Sequence, residues 1–159
     1  MSTLIVYYSY TGNSGLVAGV LQNALKAETL ELKLADDGER KGLAKYLWGG
    51  KMVFSRAKPP LKPYRADWEN YDLIIIGGPV WAGSPAPALL TFLDETGIRG
   101  KKVVLFCCHR GGKGKALDKL KALLPGNTFA GERDFVIPRG ANQSEALESV
   151  RAWAKTLGD

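Results

Sequence analysis

The chain has 159 residues, 45% hydrophobic and 24% charged, a balance that suits one folded domain and excludes a disordered or low-complexity polypeptide. Its 22 Lys and Arg outweigh 16 Asp and Glu, giving a formal net charge of +6, which favours acidic partners without choosing among phosphates, anionic proteins, nucleic acid and membrane surfaces. The only cysteines, Cys107 and Cys108, are adjacent and cannot staple distant segments, and the longest apolar run, Leu73 to Trp81, is broken by Gly77, Gly78 and Pro79, far short of a membrane span.

The first residues, MSTLIVYYSYTGNS, carry neither a basic n-region nor a cleavage site. No signal peptide is therefore expected, and a reducing cytoplasm without membrane insertion is the expected setting. Residues 3–8, TLIVYY, form a β-branched and aromatic run ending at the polar, Gly-bearing SYTGNSG, which predicts a buried strand and a loop. From Asn13, the positions Leu16, Val17, Val20, Leu21 and Leu25 recur at helical spacing. Residues 28–34, ETLELKL, alternate with period two and place Leu30, Leu32 and Leu34 on one face, as an edge strand does. Residues 72–77, DLIIIG, predict a central strand; after GGPVWAGSPAP, a helix over Pro87–Glu95 presents Leu89, Leu90, Phe92 and Leu93. Residues 102–108, KVVLFCC, predict a fourth buried strand, and HRGGKG leads into a helix through Leu117, Leu120, Leu123 and Leu124. A fifth strand follows over 128–137, interrupted near Gly131, and the final helix spans about Gln143 to Leu157 with Ala146, Leu147, Val150, Trp153 and Leu157 on one face.

Five alternations of strand and helix predict a parallel sheet covered on both sides, a doubly wound α/β sandwich of three layers. The link over residues 35–71 is too long for a plain crossover. A helix near Glu39–Trp48 suits its first part, whereas residues 49–64, GGKMVFSRAKPPLKPY, hold three prolines and no clear period. The expectation is one domain over 1–159 with an insertion at about 39–65 of no assignable shape.

In an open parallel sheet, ligands sit at the carboxyl ends of the strands where strand order reverses. The loops after strands one, three and four are the unusual ones here. Ser9-Tyr10-Thr11-Gly12-Asn13-Ser14 joins a strand to a helix N-terminus, where hydroxyl donors, a turn-permitting Gly and free N–H groups suit a phosphate. Capping of the helix by Asn13 or Thr11 accounts for the same residues. GxxxxGK[ST] is absent, as is GxGxxG after the first strand, which excludes a P-loop and an ordinary dinucleotide fingerprint. Cys107 and Cys108 have Lys113 and Gly114 six residues on, where a phosphocysteine phosphatase needs Arg, and the first strand does not end in the paired Asp of a phospho-acceptor domain.

IVYYSYTGNS, IIIGGPVWAGSPAP and VLFCCHRGGKG together resemble the flavodoxin family in its short-chain form, and the element order agrees over essentially the whole chain. Ser9, Thr11, Gly12 and Ser14 meet the family's phosphate-loop pattern [ST]-x-T-G-x-[ST], and KYLWGGKMVFSRAKPPLKP is similar to a bacterial subgroup. The resemblance implies a flavodoxin-like five-stranded parallel sheet in the order 2-1-3-4-5. It also implies tightly but non-covalently bound flavin mononucleotide (FMN), with its phosphate in the loop from Ser9 to Ser14. Pro79, Val80, Trp81, Ala82 and Gly83 are then the loop beside the isoalloxazine ring. Trp81 either stacks on the flavin or plugs the core, and Gly83 lets its peptide rearrange near N5.

The third loop, Cys108-His109-Arg110-Gly111-Gly112, completes the implied site but departs from the family, offering His109, Arg110 and Lys113 where aromatic and acidic groups are usual. The second flavin face then falls to the insertion, through Trp48 or Phe54. Cys107 and Cys108 read as strand residues, one buried and one near the loop, and His109 as a solvated loop residue ahead of a proton donor. Arg110, Lys113, Lys115, Lys119 and Lys121 either stabilise anionic reduced flavin, making the second reduction potential less negative, or solvate a helix face. The function expected first is electron carriage between redox partner proteins, a reductase and an acceptor, with no nucleic-acid partner. The alternative is an FMN-dependent NAD(P)H:quinone or related oxidoreductase.

Overall fold

The computed structural model describes residues 1–36, 43–55 and 58–158, without the side chains of Lys45, Tyr46 and Phe54. The two most apolar runs of the chain make the centre of the sheet. Strand β1 (Thr3–Tyr8) pairs in parallel with β2 (Glu28–Leu32) on one side and β3 (Leu73–Trp81) on the other. Beyond β3 come β5 (Lys102–Cys108) and β6 (Thr128–Phe135), both parallel. The register aligns Ile5, Ile75 and Val104 on one face and Leu4, Ile74 and Val103 on the other, so neighbouring residues along each strand feed opposite cores.

Helices cover both faces. α1 (Asn13–Leu25) and α5 (Gln143–Leu157) lay Val17, Ala18, Leu21, Val150, Trp153 and Leu157 against Ile5, Ile75, Val104 and Phe106. α3 (Pro87–Thr96) and α4 (Ala116–Ala122) lay Leu89, Phe92, Leu93, Leu117 and Leu120 against Leu4, Val6, Ile76 and Leu105. Each fully buried Leu, Ile or Phe contributes about 1.5–3 kcal/mol relative to exposure, and the two cores together hold the layers. Pro87 opens α3 with its φ already suited to a helix, and Gly97 ends it at φ 56. Leu16 and Leu123, expected on the inner faces, lie 39% and 47% exposed. Among the described residues no helix is long and apolar enough to cross a membrane.

Three features differ from the sequence expectation. The sheet has six strands, not five: β4 (Ser84–Pro85) folds back antiparallel on the end of β3, so the parallel strands run β2-β1-β3-β5-β6. A two-residue strand has no hydrophobic period to announce it. The interruption at Gly131 is a bulge that leaves Ala130 without an opposite residue, because Val103 pairs with Phe129 and Val104 with Gly131. The segment between β2 and β3 is ordered by α2 (Leu43–Phe54), which continues through Gly49 and Gly50; its expected start at Glu39 lies outside the described residues. After it, Leu61 bridges Leu34 antiparallel, with Ala35 N–H donating to Pro60 O at 2.9 Å and Lys62 N–H to Lys33 O at 2.8 Å.

Candidate functional site

The order β2-β1-β3-β5-β6 reverses direction between β1 and β3, and the loops after β1, β3 and β5 therefore meet at one end of the sheet. They enclose an open cavity of about 680 Å³. Tyr10, Thr11, Asn13 and Ser14 line it from the first loop, Pro79, Val80, Trp81 and Ala82 from the second, and Cys108, His109, Arg110 and Gly111 from the third. Ser9, Gly12, Gly83 and Gly112 do not line it. They shape the loops that do.

In the first loop, Gly12 takes φ 100 as the residue before α1, a conformation that a side chain strains against. Gly12 at the N-cap offers no side-chain cap, and the capping role considered for Asn13 and Thr11 is not taken up; Asn13 is the first helical residue. Ser9 Oγ accepts from Gly15 N–H at 3.1 Å and Leu16 N–H reaches Gly12 O at 3.0 Å. Helix geometry leaves the N–H groups of Asn13 and Ser14 without intrahelical acceptors, facing the end where the helix dipole is positive. That is the cradle an anionic phosphate fits with no cation at hand.

The second loop is a tight hairpin. Trp81 pairs with Ser84, and Ala82 and Gly83 between them take φ 48 and 69, positive at both central turn positions as in a type I′ turn. Gly83 O accepts from Lys115 N–H at 3.1 Å, so any rearrangement of that peptide must break this bond. Trp81 is half-buried among Tyr8, Tyr10 and Trp48, with ring centroids 5.6–5.9 Å away. Tyr10 and Trp48 are themselves near-stacked, at 5.9 Å and 30°. The aromatic wall is thus braced by α2, whose Gly49 packs close enough that a Cβ there would sit 3.5 Å from Trp81 Cε3. Gly49 and Gly50 line the cavity where Trp48 does not; the alternative of Phe54 lies outside the described side chains.

The third loop corrects one expectation. His109 is not a solvated loop residue: its side chain is only 11% exposed. Gly112 N–H donates to Nδ1 at 3.0 Å, which puts the ring proton on Nε2, 2.8 Å from Asp134 Oδ2. Its own N–H donates to Phe135 O at 3.0 Å, so the residue ties the loop to β6. The hydrogen bond from His109, reinforced by Lys113 at 3.8 Å, holds the Asp134 carboxyl below the usual carboxylate range against the opposing effect of burial. Cys107 and Cys108 are both buried and face opposite cores, with Cys108 at the end of β5 beside the loop, as expected. Burial pushes the Cys107 thiol up to about 12 and the Cys108 thiol up to about 11, the latter partly offset by a hydrogen bond with Ser14. Neither is a nucleophile at neutral pH.

Arg139, in the loop after β6, also lines the cavity and was not foreseen, although that loop too leaves the carboxyl end of a strand. Arg110 and Arg139 are both exposed, and among the described residues neither has an acidic partner. Among the described residues no Asp or Glu lines the cavity. The site combines a helix-terminal anion cradle, an aromatic wall and a cationic mouth. No group of three or more metal-ligating side chains occurs among the described residues.

These features define a flavin-binding protein of flavodoxin-like α/β fold. The chain belongs to the family of NADPH-dependent FMN reductases, whose model matches residues 1–140, and FMN is the flavin its cavity fits. Among solved structures, a flavoprotein in complex with FMN from Lactobacillus acidophilus NCFM is 27% identical, with TM-score 0.72 over 84% of this chain and 92% of that one. A proposed flavoprotein from Bacteroides uniformis ATCC 8492 is 24% identical, with TM-score 0.78 over 97% of each chain. A flavodoxin from Streptococcus pneumonia TIGR4 shares the fold at 15% identity, TM-score 0.62, over 99% of this chain and 97% of that one. No curated protein matches the chain in sequence.

Proposed function

We propose that the protein is an FMN-dependent oxidoreductase that takes reducing equivalents directly from NADPH, in place of the pure electron carrier that the sequence reading puts first. The observation that carries this reading is the mouth of the cavity, where Arg110 and Arg139 stand with no acidic side chain among the described residues of the lining. The FMN phosphate is provided for by the first turn of α1, so these two guanidinium groups are surplus to holding the flavin. A nicotinamide dinucleotide phosphate brings several negative charges, and planar guanidinium forks suit its phosphates. The match to a family described as NADPH-dependent FMN reductases supports the same reading.

When bound, FMN supplies acceptance of a hydride from a reduced nicotinamide and release of the electrons to an acceptor in one or two steps. The protein's part is placement. Thr11, Asn13 and Ser14 hold the phosphate end, and Trp81, backed by Tyr8, Tyr10 and Trp48, forms the apolar wall for the ring. His109 keeps the third loop closed against β6 so that Arg110 projects at the mouth. Redox partner proteins enter only as acceptors.

The test is anaerobic mixing of FMN-loaded protein with NADPH, then NADH, following the visible flavin band. Rapid bleaching by NADPH with no added reductase is expected. Absence of bleaching by either nucleotide, with normal reduction by dithionite, returns the protein to the carrier reading. Failure to retain FMN removes both.

A further inference from the structure

The hairpin at Trp81–Ser84 is a thin partition. Ala82 lines the flavin cavity on one side and, with Ser84, a second groove of about 880 Å³ on the other. A two-residue turn with a non-glycine residue at φ 48 is not a strong structure by itself. Three contacts from one neighbouring segment hold it. Gly114, at φ 52, lies so close that a Cβ there would come within 2.6 Å of Gly83 Cα and 3.0 Å of Gly83 O. Lys115 N–H donates to Gly83 O at 3.1 Å. Lys119 Nζ donates to Ser84 Oγ, on the other arm of the hairpin.

We propose that the start of α4 is a positioning element for the flavin, in which Gly114, Lys115 and Lys119 fix the Ala82–Ser84 turn and thereby the distance of its backbone from the ring. The inference rests on the reading that FMN occupies the cavity beside Trp81 and Ala82. The same segment continues directly from the third loop, whose His109 is anchored on β6. The second and third loops are therefore one mechanical unit, and a displacement of either moves both walls of the site. None of the three residues lines the flavin cavity, so they act through the turn and not by touching the cofactor. Lys119 in this account is neither a solvated surface charge nor a counter-ion to the reduced ring.

Gly114 cannot accept a side chain without moving backbone against backbone, and its positive φ adds strain. Lys119→Met keeps the helix and removes the hydrogen bond to Ser84 together with one positive charge, whereas Ser84→Ala removes the hydrogen bond alone, so agreement between the two variants assigns the effect to the bond. The experiment measures FMN dissociation constants and two-electron midpoint potentials for wild type, Gly114→Ala, Lys119→Met, Ser84→Ala and the Lys119→Met/Ser84→Ala pair, with urea midpoints of the apoproteins alongside. Gly114→Ala is expected to weaken FMN binding tenfold or more. Lys119→Met and Ser84→Ala are each expected to change the relative affinity for reduced over oxidised flavin severalfold, a tenfold change reading as about 30 mV. The double variant should then match either single one. If Gly114→Ala does not fold, the Lys119–Ser84 cycle decides alone. Additive effects of the pair, unchanged potentials, or losses of FMN that merely track apoprotein stability overturn the proposal. Wild type that fails to bind FMN overturns instead the reading on which it rests.

Discussion

Gly77 lies in β3 directly opposite Phe106 in β5, and a Cβ at this position would stand 2.3 Å from two atoms of the Phe106 ring and 2.5 Å from a third. Ordinary carbon contacts need about 3.5–4.0 Å, so Gly77→Ala demands a shift of more than about 1 Å from a ring that is wholly buried. Overpacking of this kind costs about 1–3 kcal/mol, and here the upper end applies because three ring atoms clash at once. The reduced backbone entropy of Ala offsets about 0.5–1 kcal/mol, leaving a net loss of about 2–2.5 kcal/mol out of a total of about ten. Urea unfolding of the apoprotein measures it, and adding Phe106→Leu to Gly77→Ala should recover part of the loss as a coupling of about 1.5 kcal/mol. FMN affinity should fall as well, since Pro79 and Cys108, paired two residues further along the same strands, begin the second and third loops. Gly77→Ala within about 0.5 kcal/mol of wild type, the scatter of a neutral surface change, would refute the packing argument.

The Asp134 carboxyl is depressed first by the hydrogen bond from His109 and then by Lys113, so its contribution to stability is present above the ordinary carboxylate range and is lost as pH falls through its lowered folded value. The stability gap between wild type and Asp134→Asn should accordingly shrink as pH falls from 5 towards 3 in urea titrations; an equal gap at pH 5 and pH 3 contradicts it. For the cysteines, thiols raised to about 12 and about 11 hold only about one thiolate in a thousand or fewer at pH 8. A thiol-reactive chromophore should titrate neither Cys107 nor Cys108 in the native protein and both in urea, and fast native labelling of either would contradict their burial.

Residues with an unbroken physical signal were legible in the sequence. LIII and VVLF are β-branched or aromatic runs too short for helices, and they became the central strands. The first loop was legible because Gly12 sits where the chain must turn at positive φ into a helix. What escaped depended on contacts distant in sequence. His109 finds Asp134 twenty-five positions away, which no local pattern near HRGG reveals. Gly49 and Gly50 weaken a helix by intrinsic preference, yet α2 runs through both, with Gly49 packed against Trp81. The hairpin turn uses Ala-Gly in place of Asn-Gly, and its first residue takes a conformation that Ala seldom adopts. Arg139 was within reach of the strand-end rule but was passed over because its loop carries no motif.

The crosslink between Leu34 and Leu61 has a consequence separate from the flavin. A sheet ends in two strands whose outer backbone groups are ready to pair with another molecule. At one end, Pro60, Leu61 and Lys62 occupy the chain just past β2, and Pro59, Pro60 and Pro63 lack the N–H that would let the edge propagate. At the other, β6 is kinked at Ala130 and carries Glu132, Arg133 and Asp134 in succession. The long segment before β3 therefore satisfies, within the chain, backbone groups of Lys33 and Ala35 that would otherwise lie open where that edge leaves β2.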